Sequence, residues 1–154
     1  MTDTPFRFLR PGPLVDGDLS LVLEEENTGD RVKGFVPSYG FVMLRAGDGH
    51  ELGRISLRVG NPPQIVQYAG HIGYGVLEQH RGHHYAARSC RLLIPLARAH
   101  GLSPLWITCN PDNLASRRTC ELAGALFVEI VDLPPESDMY ERGERQKCRF
   151  RLDV

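Results

Sequence analysis

With 154 residues, 42% of them hydrophobic, the chain is long enough to bury one substantial core and is read as a single domain over residues 1–154. Eighteen Lys and Arg against nineteen Asp and Glu leave a formal charge of −1, which argues against a polyanion-binding surface and so against a nucleic-acid partner. There is no run of 18 apolar residues and no secretory-type start, so neither a membrane span nor a signal peptide is expected. Cys90, Cys109, Cys120 and Cys148 are scattered without a Cys-x-x-Cys pair; three lie in apolar contexts that suit buried thiols in a reducing, cytoplasmic compartment.

Residues 1–17 carry Pro5, Pro11 and Pro13 with little periodicity and read as a peripheral surface arm. Leu19, Leu21 and Leu23 alternate with polar or smaller residues, predicting a first strand, and Glu24, Glu25 and Glu26 are expected in a solvated turn after it. Residues 39–44 and 51–60 form a hairpin pattern around Gly47, Asp48 and Gly49, with His50 solvated at its tip. Residues 69–76 predict a further strand whose Ile72, Tyr74 and Val76 share one face, leaving His71, Gly73 and Gly75 on the other. Two glycines on one face imply a close neighbour there, either a packed element or a ligand.

A helical pattern runs over residues 84–100, with Pro95 on its polar line and Gly101 at its end; one bent helix is expected. Leu105, Trp106, Ile107, Thr108 and Cys109 read as a strand covered on both faces. A turn at residues 110–113 caps a helix that closes near Gly124, and on that helix Asn113, Ser116 and Cys120 share a face. Strands at 126–131 and 148–152 follow, separated by a long polar connection.

The stretch joining the strand at 72–76 to the helix at 84 concentrates the chemistry. Val76, Leu77, Gln79, Arg81, Gly82, His83, His84, Tyr85 and Ala86 lie where a helix start presents unpaired N–H groups and positive dipole. Gly82 permits a sharp turn and a close backbone approach, and Arg81 adds a fixed positive charge, so the stretch reads as an anion site for phosphate or pyrophosphate. The competing reading of these residues alone is an ordinary strand-to-helix turn. A zinc site from His80, His83 and His84 is disfavoured by the intervening Gly82 and the lack of neighbouring thiol or acidic ligands, and no metal is expected.

The run Gln79-His80-Arg81-Gly82-His83-His84 resembles the (Gln/Arg)-x-x-Gly-x-(Gly/Ala) motif of GNAT-type N-acetyltransferases, and Asn113-Leu114-Ala115-Ser116 with Gly124 resembles their following helix. Order and spacing match as well as residue types, most clearly from residue 70 to 128. The resemblance implies an α/β (α+β) fold: a mixed, mostly antiparallel six- to seven-stranded sheet with helices on both faces and a splayed central strand pair. It implies acetyl-CoA as cosubstrate, its pyrophosphate on the backbone of residues 81–86 beside Gln79 or Arg81, and its pantetheine along the strand at 69–76. A backbone N–H near Val76 or Leu77 is then expected to polarise the thioester carbonyl, and Asn113 and Ser116 to contact the pantetheine side.

The sequence departs from the family pattern at three places. His84 stands where the family has Gly or Ala. Cys120 stands where many members carry the tyrosine that protonates the leaving thiolate, so Cys120 itself or Tyr140 becomes the candidate acid and His71 the candidate base. Only residues 25–37 are available where the family usually has two helices, which leaves room for one short helix at most. The implied activity is direct acetyl transfer to a primary amine of a small molecule or peptide by a monomer or homodimer; the alternative is a CoA-binding regulatory module of the same fold. Glu136, Asp138 and Glu141 would suit a cationic acceptor.

Overall fold

A computed structural model describes residues 5–154. Strands β1 (Leu14–Asp16), β2 (Leu19–Asn27), β3 (Ser38–Arg45), β4 (Glu51–Arg58) and β5 (Ile72–Val76) form one antiparallel sheet in that order. Helices α1 (Tyr85–Leu92) and α2 (Ile94–Ala99) follow, then β6 (Leu105–Cys109), α3 (Leu114–Leu122), β7 (Leu126–Asp132), the short α4 (Asp138–Glu141) and β8 (Gln146–Leu152). The last three strands make a second antiparallel sheet in the order β6-β8-β7.

The period-2 pattern decides which face of the first sheet is buried. Leu19, Leu21, Tyr39, Phe41, Met43, Ile55, Leu57 and Ile72 point inward and meet Tyr85, Ala87, Cys90, Leu93 and Ala97 of the helical segment in one continuous core. The cross-strand line Gly40, Ser56 and Gly73 falls on the opposite face, where a shallow groove of about 410 Å³ remains.

Two local expectations need correction. Glu24, Glu25 and Glu26 lie inside β2, opposite β3, because a bulge between Leu23 and Glu25 carries the ladder on to Asn27. In the described part of the N-terminal arm, Leu9 N–H donates to Tyr39 Oη at 2.7 Å and Phe6 stacks on His100 at 5.1 Å. The helical pattern is broken at Leu93 into α1 and α2, since Pro95 has no N–H for the Arg91 carbonyl and occupies the first turn of α2. No helix forms in residues 28–37, where Asp30 and Phe35 pair across a tight turn.

The two sheets meet where β5 and β6 start. His71 N–H donates to Trp106 O at 2.7 Å, and Trp106 N–H returns a bond to His71 Nδ1 at 2.9 Å. With Nδ1 accepting, Nε2 carries the proton and donates to Asn61 Oδ1 at 2.9 Å and Gly60 O at 3.1 Å. Gly70 permits the approach, for at φ 77° a Cβ there would lie 2.9 Å from Trp106 O. Beyond this pin β5 and β6 share no ladder, and a crevice of about 1090 Å³ opens between them.

Candidate active site

The register of β4 against β5 determines what the crevice offers. Leu77 N–H is spent on Leu52 O at 2.8 Å, so residues 52 and 77 form a hydrogen-bonded pair. By antiparallel alternation Gly75 and Gly73 also pair toward β4, and the N–H groups of Tyr74 and Val76 project from the other edge, into the splay. Of the two expected carbonyl-polarising groups, Val76 is therefore free and Leu77 is not.

Just past this edge a short 3₁₀ turn, Glu78–His80, leads into α1. The first helical bond is Arg88 N–H to His84 O at 2.9 Å, and no side chain caps the helix start. The N–H groups of residues 82–87 are thus left facing outward or upward without a protein acceptor, with Gly82, His83 and His84 exposed. Gly82 at φ 99° makes the turn. Arg81 lies over the end of β5 with Nε 3.3 Å from Val76 O.

The helix start is strapped from behind. Arg88 pairs with Asp16 and Asp18 at 2.8 Å each, and Tyr85 Oη donates to Asp18 Oδ2 at 2.7 Å. The Tyr85 hydroxyl, followed by Arg88, holds the Asp18 carboxyl below its usual range. The Tyr85 and Ala86 side chains are buried, so these two residues offer backbone alone to the exterior.

His84 is the one non-glycine residue with positive φ among the described residues, at φ 61°, ψ 28°. A side chain in this left-handed region costs ~1–2 kcal/mol. His84→Gly is therefore expected to raise the thermal midpoint by roughly 2–4 °C while CoA affinity holds or improves. A fall in midpoint would show that the imidazole contributes packing that outweighs the strain.

On the far wall, Asn113 Oδ1 caps α3 by accepting Ser116 N–H at 3.0 Å, leaving its amide N–H groups for another partner. Asn113 and Ser116 line the crevice, as do Tyr74 and Cys109. Tyr74 Oη lies 2.7 Å from Ser116 Oγ and 3.8 Å from Cys120 Sγ.

None of the three candidate catalytic side chains lines the crevice. His71 is fully buried with both ring nitrogens committed, so no lone pair is free to take a proton; burial also pushes its pKa down. Cys120 is 0% exposed, and its contact with Cys109 and its burial push the thiol's pKa far up. Tyr140 is on α4, outside the crevice wall, with the Arg145 guanidinium 3.8 Å over its ring. Sequence reading missed Tyr74, Asn110, Arg58 and Lys147, which line the crevice. Arg58 donates to Gly70 O at 3.0 Å, and Lys147 pairs with Glu144 at 2.7 Å, holding that carboxyl ionised. An exposed-looking Arg and Lys on alternating strands give no local signal of such burial. Among the described residues no three His, Cys, Asp or Glu side chains are placed to hold a metal, and no helix is long and apolar enough to cross a membrane.

A splayed strand pair beside an uncapped helix start defines an acetyltransferase-like class of site. The chain belongs to the GNAT acetyltransferase family: the acetyltransferase (GNAT) domain model matches residues 14–125. No match is found among curated protein sequences. Among solved structures it is similar to the microcin C7 self-immunity acetyltransferase, solved with acetyl-CoA and AMP (TM-score 0.60, 13% identity, 76% of this chain and 61% of that one). It also resembles the ribosomal-protein-S5-alanine acetyltransferase from Vibrio fischeri (0.59, 17%, 75% and 61%). A third is the ribosomal L7/L12 α-N-protein acetyltransferase in complex with coenzyme A (0.59, 15%, 80% and 65%). The chain thus spans 61–65% of the length of these proteins, and at such identities the likeness is one of fold.

Proposed function

We propose that this protein is an N-acetyltransferase that moves the acetyl group of acetyl-CoA directly to a primary amine of a small molecule or peptide. The observation that carries the reading is the junction of the free β5 edge with the uncapped start of α1. The N–H groups of residues 82–86, with Arg81, suit a pyrophosphate; the β5 edge suits the amides of a pantetheine arm. Val76 N–H then donates to the thioester oxygen as negative charge develops on it. Acetyl-CoA supplies an activated acyl carbon, and the chain's task is to orient it and exclude water. The four cysteines are buried free thiols, which favours direct attack by the amine over a covalent enzyme intermediate and suits a cytoplasmic setting.

The acceptor enters through the crevice on the side of residues 28–37 and α4. Asp30, Glu136 and Asp138 stand on its walls together with Lys33, Arg58, Arg142 and Lys147, so charge alone does not select the acceptor. Acetyltransferases acting on ribosomal-protein termini are among the fold's relatives, which makes a peptide α-amine the leading candidate. With His71 closed off, water or an acceptor-side carboxylate takes the amine's proton.

The test is release of free CoA thiol with a panel of amines that includes peptides beginning with serine and alanine, with the product identified by the added acetyl mass. Acceptor-dependent turnover is expected. Tight CoA binding with no turnover on any amine across pH would instead make the chain a CoA-binding module.

A further inference from the structure

Tyr74 sits between Ile72 and Val76 on the inward face of β5, its ring packed on the core. Its hydroxyl crosses to α3, 42 residues on, where Ser116 Oγ is 2.7 Å away and Ser116 O is 3.3 Å away. The hydroxyl pair lies on the crevice wall, one residue along β5 from the glycine that precedes the free Val76 N–H. Cys120 Sγ lies 3.8 Å from the Tyr74 hydroxyl, and Cys109 shares the crevice wall. No other pair of side-chain hydroxyls is bonded across the splay among the described residues.

We infer that Tyr74 is a positioning residue for the leaving group: its O–H donates to Ser116 Oγ, and this directs the Ser116 proton toward the sulfur of coenzyme A. The inference rests on the acetyl-CoA reading above and assigns a role within it. As the amine nitrogen bonds to the acetyl carbon, the C–S bond breaks with its electron pair on sulfur. The amine loses one proton, water carries that proton to the thiolate, and the Ser116 hydroxyl stabilises the sulfur's charge meanwhile. Both hydroxyls end as they began. Burial, reinforced by the neighbouring Cys120 and Cys90 thiols, pushes the Tyr74 pKa well above that of an ordinary phenol. The phenol therefore stays protonated and remains a donor throughout the working pH range.

The test needs no acceptor. Thiolate absorbance of the CoA complex is titrated against pH, with the desulfo-CoA complex subtracted so that protein thiols and phenols cancel. Tyr74→Phe and Ser116→Ala are each expected to raise the bound thiol's pKa by about one unit, a tenfold change in its acidity. The double variant should add little more, because the two act as one unit. Calorimetric affinity for CoA at neutral pH, where the thiol is protonated, should stay within about threefold of wild type for Tyr74→Phe. An unmoved thiol pKa in folded, CoA-bound Tyr74→Phe overturns the role of Tyr74 and leaves the acetyltransferase reading intact. Failure of the unmodified protein to bind either CoA or desulfo-CoA overturns that reading itself.

Discussion

Gly82→Val is expected to weaken CoA binding by well over tenfold. Gly82 holds φ at 99°, a region that a β-branched residue avoids, although the space around its missing Cβ is open. Valine must therefore either move the turn or accept strain, and moving the turn disperses the N–H groups of residues 82–86. The site is exposed and makes few packing contacts, so the accompanying stability loss should be ~1–2 kcal/mol, or roughly 2–8 °C in midpoint. Isothermal calorimetry with CoA gives the affinity. A value unchanged from the parent protein would remove the helix start from the binding site, whatever the midpoint does.

The second large effect falls on stability. His71→Ala keeps the backbone bond to Trp106 O but removes the imidazole's bonds across the junction and leaves Trp106 N–H without its acceptor. An orphaned buried donor costs ~1–3 kcal/mol and the cavity adds to that, so a loss of about 3–4 kcal/mol is expected. For a chain of this size that is roughly 6–16 °C in midpoint. A drop below about 2 °C would show that the strut is dispensable. The same residue gives stability a pH dependence. Because burial holds its folded-state pKa below the ordinary value, the unfolded chain takes up the proton first as pH falls. Stability is full above pH ~6.5, declines as pH falls from there toward the folded-state pKa, and levels off below it. His71→Ala should flatten this slope, leaving the contribution of His100, whose pKa burial also lowers.

The closing contrast is one of range. The turn at residues 76–86 and its uncapped helix start were readable because a strand–turn–helix is local: the glycine, the arginine and the unpaired N–H groups all come from one stretch. Strand alternation likewise marked the apolar faces of β2 and β5, since a period of two needs no partner to be seen. What could not be read was whatever depends on segments far apart in the chain. His71 looked like a base in isolation, yet Trp106 and Asn61 consume its nitrogens. Cys120 occupied the position expected of an acid, while the hydroxyl beside it arrives from Tyr74 on another sheet. The sequence by itself determined the strand–turn–helix with its positive-φ glycine, the strand faces and the family likeness, because each is written in neighbouring residues. The tertiary structure alone decided which polar groups remain free, because burial and hydrogen bonding across 35 to 42 residues of separation leave no periodic trace in the chain.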